Sequence, residues 1–183
     1  AGNTTLIKIL LGFIRPTTGS ATIFGHNTWK NGVQARERLG YLVVPESLYS
    51  DMSGEGQLNY AADLSGREPV LRSRFLDALE LPRTVLDRRL GTYSKGMRQK
   101  LALTATFQTD PDLLILDEPT DGLDPLIRRN FEELLRERHA AGRTIFMSSH
   151  DLAEVERVCV RVAVLRDGRI VAEETVDEMR RRR

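Results

Sequence analysis

What this chain of 183 residues lacks already narrows its class. It has a single cysteine, Cys159, so no disulfide can close within it, and that usage fits a reducing compartment. Flanked by Val158 and Val160, the thiol reads as a small core side chain. No apolar run approaches the roughly 20 residues that a membrane-spanning helix needs, and no secretory signal is visible at the N-terminus. Neither sign of charge dominates. The 27 Lys and Arg are balanced by 26 Asp and Glu, and a net charge of +1 gives no long-range reason to expect nucleic acid as a partner. Repeats and low-complexity linkers are missing too. What is present, 40% hydrophobic and 29% charged residues over 20.7 kDa, is enough for one globular domain with its own core and a small subdomain. The terminal run Arg180-Arg181-Arg182-Arg183 reads as a solvated helix end, with anionic lipid as the alternative contact.

Hydrophobic spacing predicts alternating helices and strands. Residues 4–13 carry Leu6, Ile9, Leu10 and Phe13 at helical intervals, stopped by Gly12 and Pro16. Residues 20–24 alternate like a strand between Gly19 and Gly25, 32–39 read as a short polar helix, and 40–44 as a buried strand closed by Pro45. The stretch 53–81 is helical and more polar, broken near Gly66 and Pro69, and with the helix at 94–109 it suggests a helical subdomain over about 53–108. Asp124-Pro125 is an N-cap followed by proline at the first helical position. The helix it opens shows Ile127, Phe131, Leu134 and Leu135 on one face and stops at Gly142. Residues 144–147 read as a strand ending in Ser148-Ser149-His150, and 162–165 with 170–172 as a hairpin around Asp167-Gly168.

Three segments carry chemistry. Leu113-Leu114-Ile115-Leu116 is an unbroken aliphatic run that ends in Asp117-Glu118-Pro119, which reads as a strand buried on both faces. Such strands deliver their last side chains to the edge where α/β proteins bind ligands. Two carboxylates there are costly to bury unless a cation or a proton transfer occupies them. That spacing suits Asp117 to a Mg2+ ion and Glu118 to a water, and the alternative is a strand that ends in a solvated acidic turn. The opening Ala1-Gly2-Asn3-Thr4-Thr5 leads straight into a helix, as a phosphate loop does at its end, although ordinary capping would also explain it. In Tyr93-Ser94-Lys95-Gly96-Met97-Arg98-Gln99-Lys100, Ser94 caps a helix whose first turn holds Gly96, at a cost near 1 kcal/mol relative to alanine. Close approach of an outside phosphate would account for that glycine.

YSKGMRQKLAL, LLILDEPTDGLDP and IFMSSHDLAEVE, in that order, resemble the nucleotide-binding subunit of ATP-binding cassette (ABC) transporters, of the kind paired with export permeases. The resemblance runs from the first residue to about Glu178. It implies an α/β fold of the P-loop NTPase type: a mostly parallel sheet with helices on both faces and a helical subdomain, its N-terminal strands preceding Ala1. By the same resemblance Gly2, Asn3, Thr4 and Thr5 match the end of the Walker A loop, with Thr4 a Mg2+ ligand. Glu46 falls where the Q-loop glutamine is usual, and Ser94 and Gly96 match the signature motif that reaches the ATP of the opposite subunit. Asp117 and Glu118 match the Walker B aspartate and the catalytic glutamate. Asp124, in Gly122-Leu123-Asp124, matches the D-loop and is both N-cap and a contact across the dimer. His150 matches the switch histidine, its alternative being a partly buried histidine at a strand end.

The function so implied is ATP hydrolysis, with ATP and Mg2+ bound between two subunits closed head-to-tail, driving transport by a separate membrane permease. No nucleic-acid partner is expected, and the resemblance puts the chain in the cytoplasm, on the inner face of the plasma membrane. Two features depart from the family pattern. Asn3 stands where the phosphate-binding lysine is expected, and Glu46 adds a charge where glutamine is usual. A start within the Walker A motif reads as a fragment of a longer protein. The alternatives are a degenerate nucleotide-binding regulatory module, motivated by Asn3, and a superfamily member that works without a transporter.

Overall fold

Side chains one residue ahead of five of the helices do much of the local specification. The computed structural model describes residues 2–182; Ala1, which opens the phosphate-loop segment, and Arg183, which ends the arginine run, lie outside the described residues. In chain order the elements are α1 (Asn3–Leu10), β1 (Thr22–Ile23), β2 (His26–Asn27), α2 (Gly32–Arg36), β3 (Leu39–Tyr41), α3 (Gly54–Ser65), α4 (Arg72–Ala78), α5 (Lys95–Phe107), β4 (Leu113–Asp117), α6 (Pro125–Ala140), β5 (Thr144–Ser148), α7 (Leu152–Val158), β6 (Arg161–Arg166), β7 (Arg169–Thr175) and α8 (Val176–Arg181). Ser53, Ser94, Asp124, Asp151 and Thr175 each accept a backbone N–H from the first turn of the helix they precede. Gly2 caps α1 without a side chain to do the same. The chain divides into two compact units, Ala1–Glu37 with Ser148–Arg183, and Arg38–Met147.

The unit Arg38–Met147 is built on a sheet of order β3-β4-β5. β3 and β4 run parallel, with Leu39 opposite Leu113 and Tyr41 opposite Ile115. The predicted strand 40–44 is therefore shorter and starts one residue earlier, although Leu42 N–H still donates to the Ile115 carbonyl at 3.1 Å. Leu114, Ile115 and Leu116 are buried, as a central strand requires. Next to the sheet, Phe75 of α4 stacks on Phe107 of α5 at 4.6 Å, and Phe107 meets Phe131 of α6 edge-on at 5.7 Å. All three rings are fully buried, each contributing about 1.5–3 kcal/mol relative to exposure. Arg72 binds Glu55 and Asn59 of α3 and Gln108 after α5, and the Gln108 amide donates to the Leu58 carbonyl. That polar knot fixes the three helices of the segment 53–108 against one another.

The other unit holds two antiparallel ribbons, β1–β2 and β6–β7. Asp167 and Gly168 both have positive φ, as the two-residue turn predicted there needs. The strand predicted over 20–24 shrinks to Thr22–Ile23, because Phe24 and Gly25 also take positive φ and turn the chain back into β2. In α1 the buried positions are Ile7 and then Leu11 at its C-cap, not Phe13. The helix ends at Leu10, so Phe13 falls beyond its stripe and is exposed.

Candidate functional site

As β4 runs out of aliphatic residues its last side chains emerge from the core. Asp117 and Glu118 are half-buried, followed by buried Pro119 and Thr120. Glu118 has φ +47, a left-handed conformation that costs a residue with a Cβ about 1–2 kcal/mol. Phe24, Glu80, Asp110 and Asp167 take the same sign of φ. The Tyr41 phenol, on the neighbouring strand, is pushed above its ordinary value by burial and then by the Asp117 carboxylate. Beyond the corner, Asp121 N–H returns to the Glu118 carbonyl at 3.2 Å, and buried Gln99 of α5 donates to the Pro119 carbonyl at 2.7 Å.

That bond ties the acidic corner to the helix opened by Ser94. The Ser94 hydroxyl oxygen accepts Met97 N–H at 3.2 Å, which leaves its own proton to offer a ligand. A Cβ on Gly96 would stand 3.4 Å from the Gly122 carbonyl, an ordinary contact, and the φ of Gly96 is not positive. Nothing within this unit therefore demands glycine at position 96. Asp124 spends one oxygen as predicted, accepting from Leu126 and Ile127 N–H at 3.1 and 3.0 Å. Glu46 lies exposed in a single 3₁₀ turn, Pro45–Ser47, on the segment that leaves β3.

Gly2, Asn3, Thr4, Thr5 and His150 belong to the other unit. Gly2 has φ +121, and a Cβ there would meet Leu165 at 2.9 Å. The positive φ is what calls for glycine, since Leu165 Cδ2 is the movable end of a side chain. Asn3, Thr4 and Thr5 occupy the exposed first turn, where helix N–H groups favour an anion. His150 is exposed between β5 and α7. Its neighbours are pinned: the Ser149 hydroxyl donates to Glu154 at 2.5 Å and accepts Asp151 N–H at 3.1 Å.

Thus Glu46, Ser94, Gly96, Asp117, Glu118 and Asp124 share one unit, and Gly2, Asn3, Thr4, Thr5 and His150 the other. Three supporting residues carried no prediction: Gln99, Ser149 and Glu154. For Gln99 the signal is weak: it is buried with Leu101, Ala102 and Leu103, but so are the polar Thr104 and Thr106 of the same helix. Ser149 and Glu154 have none, because serine and glutamate beside a helix start look like ordinary capping.

The ABC transporter family matches residues 1–121. An ABC transporter ATP-binding protein of Nostoc sp. is 39% identical over 98% of this chain and 54% of its own length. The bacitracin transport ATP-binding protein of Bacillus licheniformis is 35% identical over 100% of this chain and 60% of its own. Among solved structures, the ATP-binding subunit of an ABC transporter superposes with a TM-score of 0.88 at 32% identity, covering 98% of this chain and 76% of that one. This chain belongs to the ABC transporter family. It spans 54% and 60% of the length of the two relatives named.

Proposed function

We propose that this chain is the nucleotide-binding part of an ABC transporter of the export type, hydrolysing ATP between two such subunits closed head-to-tail. The observation that carries the proposal is Glu118, a carboxylate held at φ +47 on the open end of a buried strand. In this reading Glu118 accepts a proton from the attacking water as general base. Asp117 and the Thr4 hydroxyl are hard oxygen donors of the kind Mg2+ takes, and Asp117 is half-buried at the end of β4. When bound, the ion would neutralise charge on the phosphates. Gly2 lets the backbone approach the phosphates, and Asn3, Thr4 and Thr5 present the first N–H groups of α1 to them. Asn3 offers a neutral amide where lysine would offer a charge.

His150 contacts the γ-phosphate from its own subunit. Ser94, through its free proton, and Gly96, by lacking a Cβ, receive the same group bound to the partner subunit. Asp124 caps α6 with one oxygen and meets the partner across the dimer with the other. Glu46 hangs on a short turn between the sheet and the segment 53–108, which we take as the helical subdomain, and so can follow its movement. Its carboxylate adds one negative charge to a site that must hold ATP.

Beside that turn lies a concave surface of about 520 Å³, lined by Leu48, Tyr49, Ser50, Asp51, Met52 and Tyr60. Tyr49 and Tyr60 meet edge-to-face at 5.7 Å. It offers the permease, the membrane subunit, an aromatic seat one short segment from Glu46. In this reading membrane association comes through that partner; no helix among the described residues is long and apolar enough to cross a bilayer.

The test is Glu118→Gln in the full-length protein. It should keep ATP binding, lose turnover by about 10²–10⁴-fold, and accumulate an ATP-bound dimer, because the base is gone and the Asp117 ligand stays. Unchanged turnover would remove Glu118 from the role. A wild-type protein that binds ATP without turning it over would make the chain a regulatory module instead.

A further inference from the structure

We propose that Glu154 is a positioning residue for His150 and acts through Ser149; this rests on the role given to His150 above. Glu154 is the third residue of α7 and only 1% exposed, yet one of its carboxylate oxygens, Oε1, has no hydrogen-bond partner among the described residues. Burying a carboxylate is costly, so its placement needs a reason.

The comparison lies within the same chain. In α8 the third residue, Glu178, reaches back to its N-cap, accepting Thr175 N–H at 2.8 Å, and this closes an ordinary capping box. In α7 the N-cap is Asp151, and its N–H goes instead to the Ser149 hydroxyl oxygen at 3.1 Å. Ser149 then donates its own O–H to Glu154 Oε2 at 2.5 Å, the length of a charge-assisted bond. A serine has been inserted into the box, lengthening it by one group. The enlarged ring closes over His150, because Ser149 and Asp151 are the residues on either side of it. Asp151 is fixed a second time by accepting Ala153 and Glu154 N–H at 2.9 and 3.3 Å. The residues on both sides of His150 are tied to the first turn of α7, Ser149 through its hydroxyl and Asp151 through its N–H and carboxylate, and Glu154 anchors that tie.

The experiment uses the full-length protein with Ser149→Ala, Ser149→Thr and Glu154→Gln. Two readouts need no turnover: the imidazole resonances of His150, and hydrogen exchange of the Asp151 amide. Ser149→Ala and Glu154→Gln should shift and broaden the His150 resonances and speed Asp151 exchange about fivefold, the equivalent of one net hydrogen bond. Exchange in residues 38–147 should be unchanged, and Ser149→Thr should restore the wild-type values. If Glu154→Gln does not fold, Ser149→Ala removes the same bond at a half-buried position. For turnover, kcat should fall roughly tenfold at unchanged KM, as losses of supporting partners do. In a His150→Ala background the same changes should cost nothing more. Unmoved His150 resonances, or losses that add to those of His150→Ala, overturn the proposal. A wild-type protein without ATPase activity would overturn the function proposed for the site, and the resonance and exchange measurements would still decide whether Glu154 positions His150.

Discussion

The Gln99 side-chain amide donates to the Pro119 carbonyl across 2.7 Å, in a buried setting. One end of that bond is on α5, the helix that starts at Ser94 and Gly96; the other is on the residue after Glu118. A movement of either is therefore felt by the other. In the proposed mechanism the first group reaches ATP on the partner and the second handles water in its own subunit, so the bond joins the two sites of the dimer through one side chain.

Replacing Gln99 with leucine keeps the volume and leaves the Pro119 carbonyl buried and unpaired. Such a loss costs about 1–3 kcal/mol. At this chain length that is a fall in Tm of roughly 2–4 °C per kcal/mol, measurable by calorimetry. Turnover should fall further than the stability loss explains, with ATP affinity of the monomer retained. A Gln99→Leu protein with wild-type kcat would show that the link is structural alone.

Gly96→Ala separates folding from function. The added methyl would make only an ordinary contact with Gly122, and alanine is favoured over glycine in a helix by up to about 1 kcal/mol, so the variant should be as stable as wild type or more so. If a phosphate must approach the α5 backbone, turnover should nevertheless drop sharply. Chemical denaturation and ATPase assays on the same preparation check both halves. Full activity would mean that the glycine is not there for a ligand.

Sequence alone reached the parts of this molecule where pattern and chemistry agree. β4 was legible because four aliphatics in a row followed by two carboxylates admit few structures. α6 was legible because Asp124-Pro125 marks its start and Phe131 with Leu134 and Leu135 marks its buried side. The β1–β2 ribbon was not, because Phe24 is an unusual choice for a left-handed turn and carries none of the asparagine or glycine signal that such turns usually have. α1 was read one position out of phase, since Leu6, Leu10 and Phe13 fit a helical stripe as well as Ile7 and Leu11 do until the helix end is known. Among site residues, those that would touch ligand stood out by type, whereas the Gln99, Ser149 and Glu154 contacts depend on partners 20, 2 and 5 residues away that only the fold brings into reach.

Acid should loosen the unit Arg38–Met147 at a definable place. Arg143 binds Asp110 through two nitrogens and Asp112 through a third, while Arg38 holds the other oxygen of Asp112. Arg143 holds the Asp110 carboxyl below its ordinary value of 3.8, and Arg38 does the same for Asp112. Because both values are lowered in the folded chain, the stability these pairs supply is complete above about pH 5 and drains away as pH falls through the folded values, below 4. Asp110→Asn should cost about 1.5 kcal/mol at neutral pH. The gap between variant and wild type should close as pH drops below 4, in denaturant titrations run at several pH values. A gap that stays constant all the way down to acid unfolding would mean that packing, not charge, holds this corner.

Asn3 gives the last prediction. It is the first residue of α1, exposed, next to a glycine whose φ of +121 shapes the loop end. Asn3→Lys in the full-length protein would convert a neutral amide contact to the phosphates into a charge-assisted one. Hydrogen bonds to charged groups contribute about 1.5–3 kcal/mol, and an ammonium in place of the amide moves the contact toward the upper end of that range, so ATP affinity should rise by about an order of magnitude. If the charge also tracks the γ-phosphate into the transition state, kcat should rise with it, since phosphoryl transfer depends on positioning and charge neutralisation. Isothermal titration with ATP and a steady-state ATPase assay distinguish the cases. Affinity up with kcat unchanged places position 3 in ground-state binding only. No change in either would mean that Asn3 is already compensated elsewhere, and the lysine is not missed at this site.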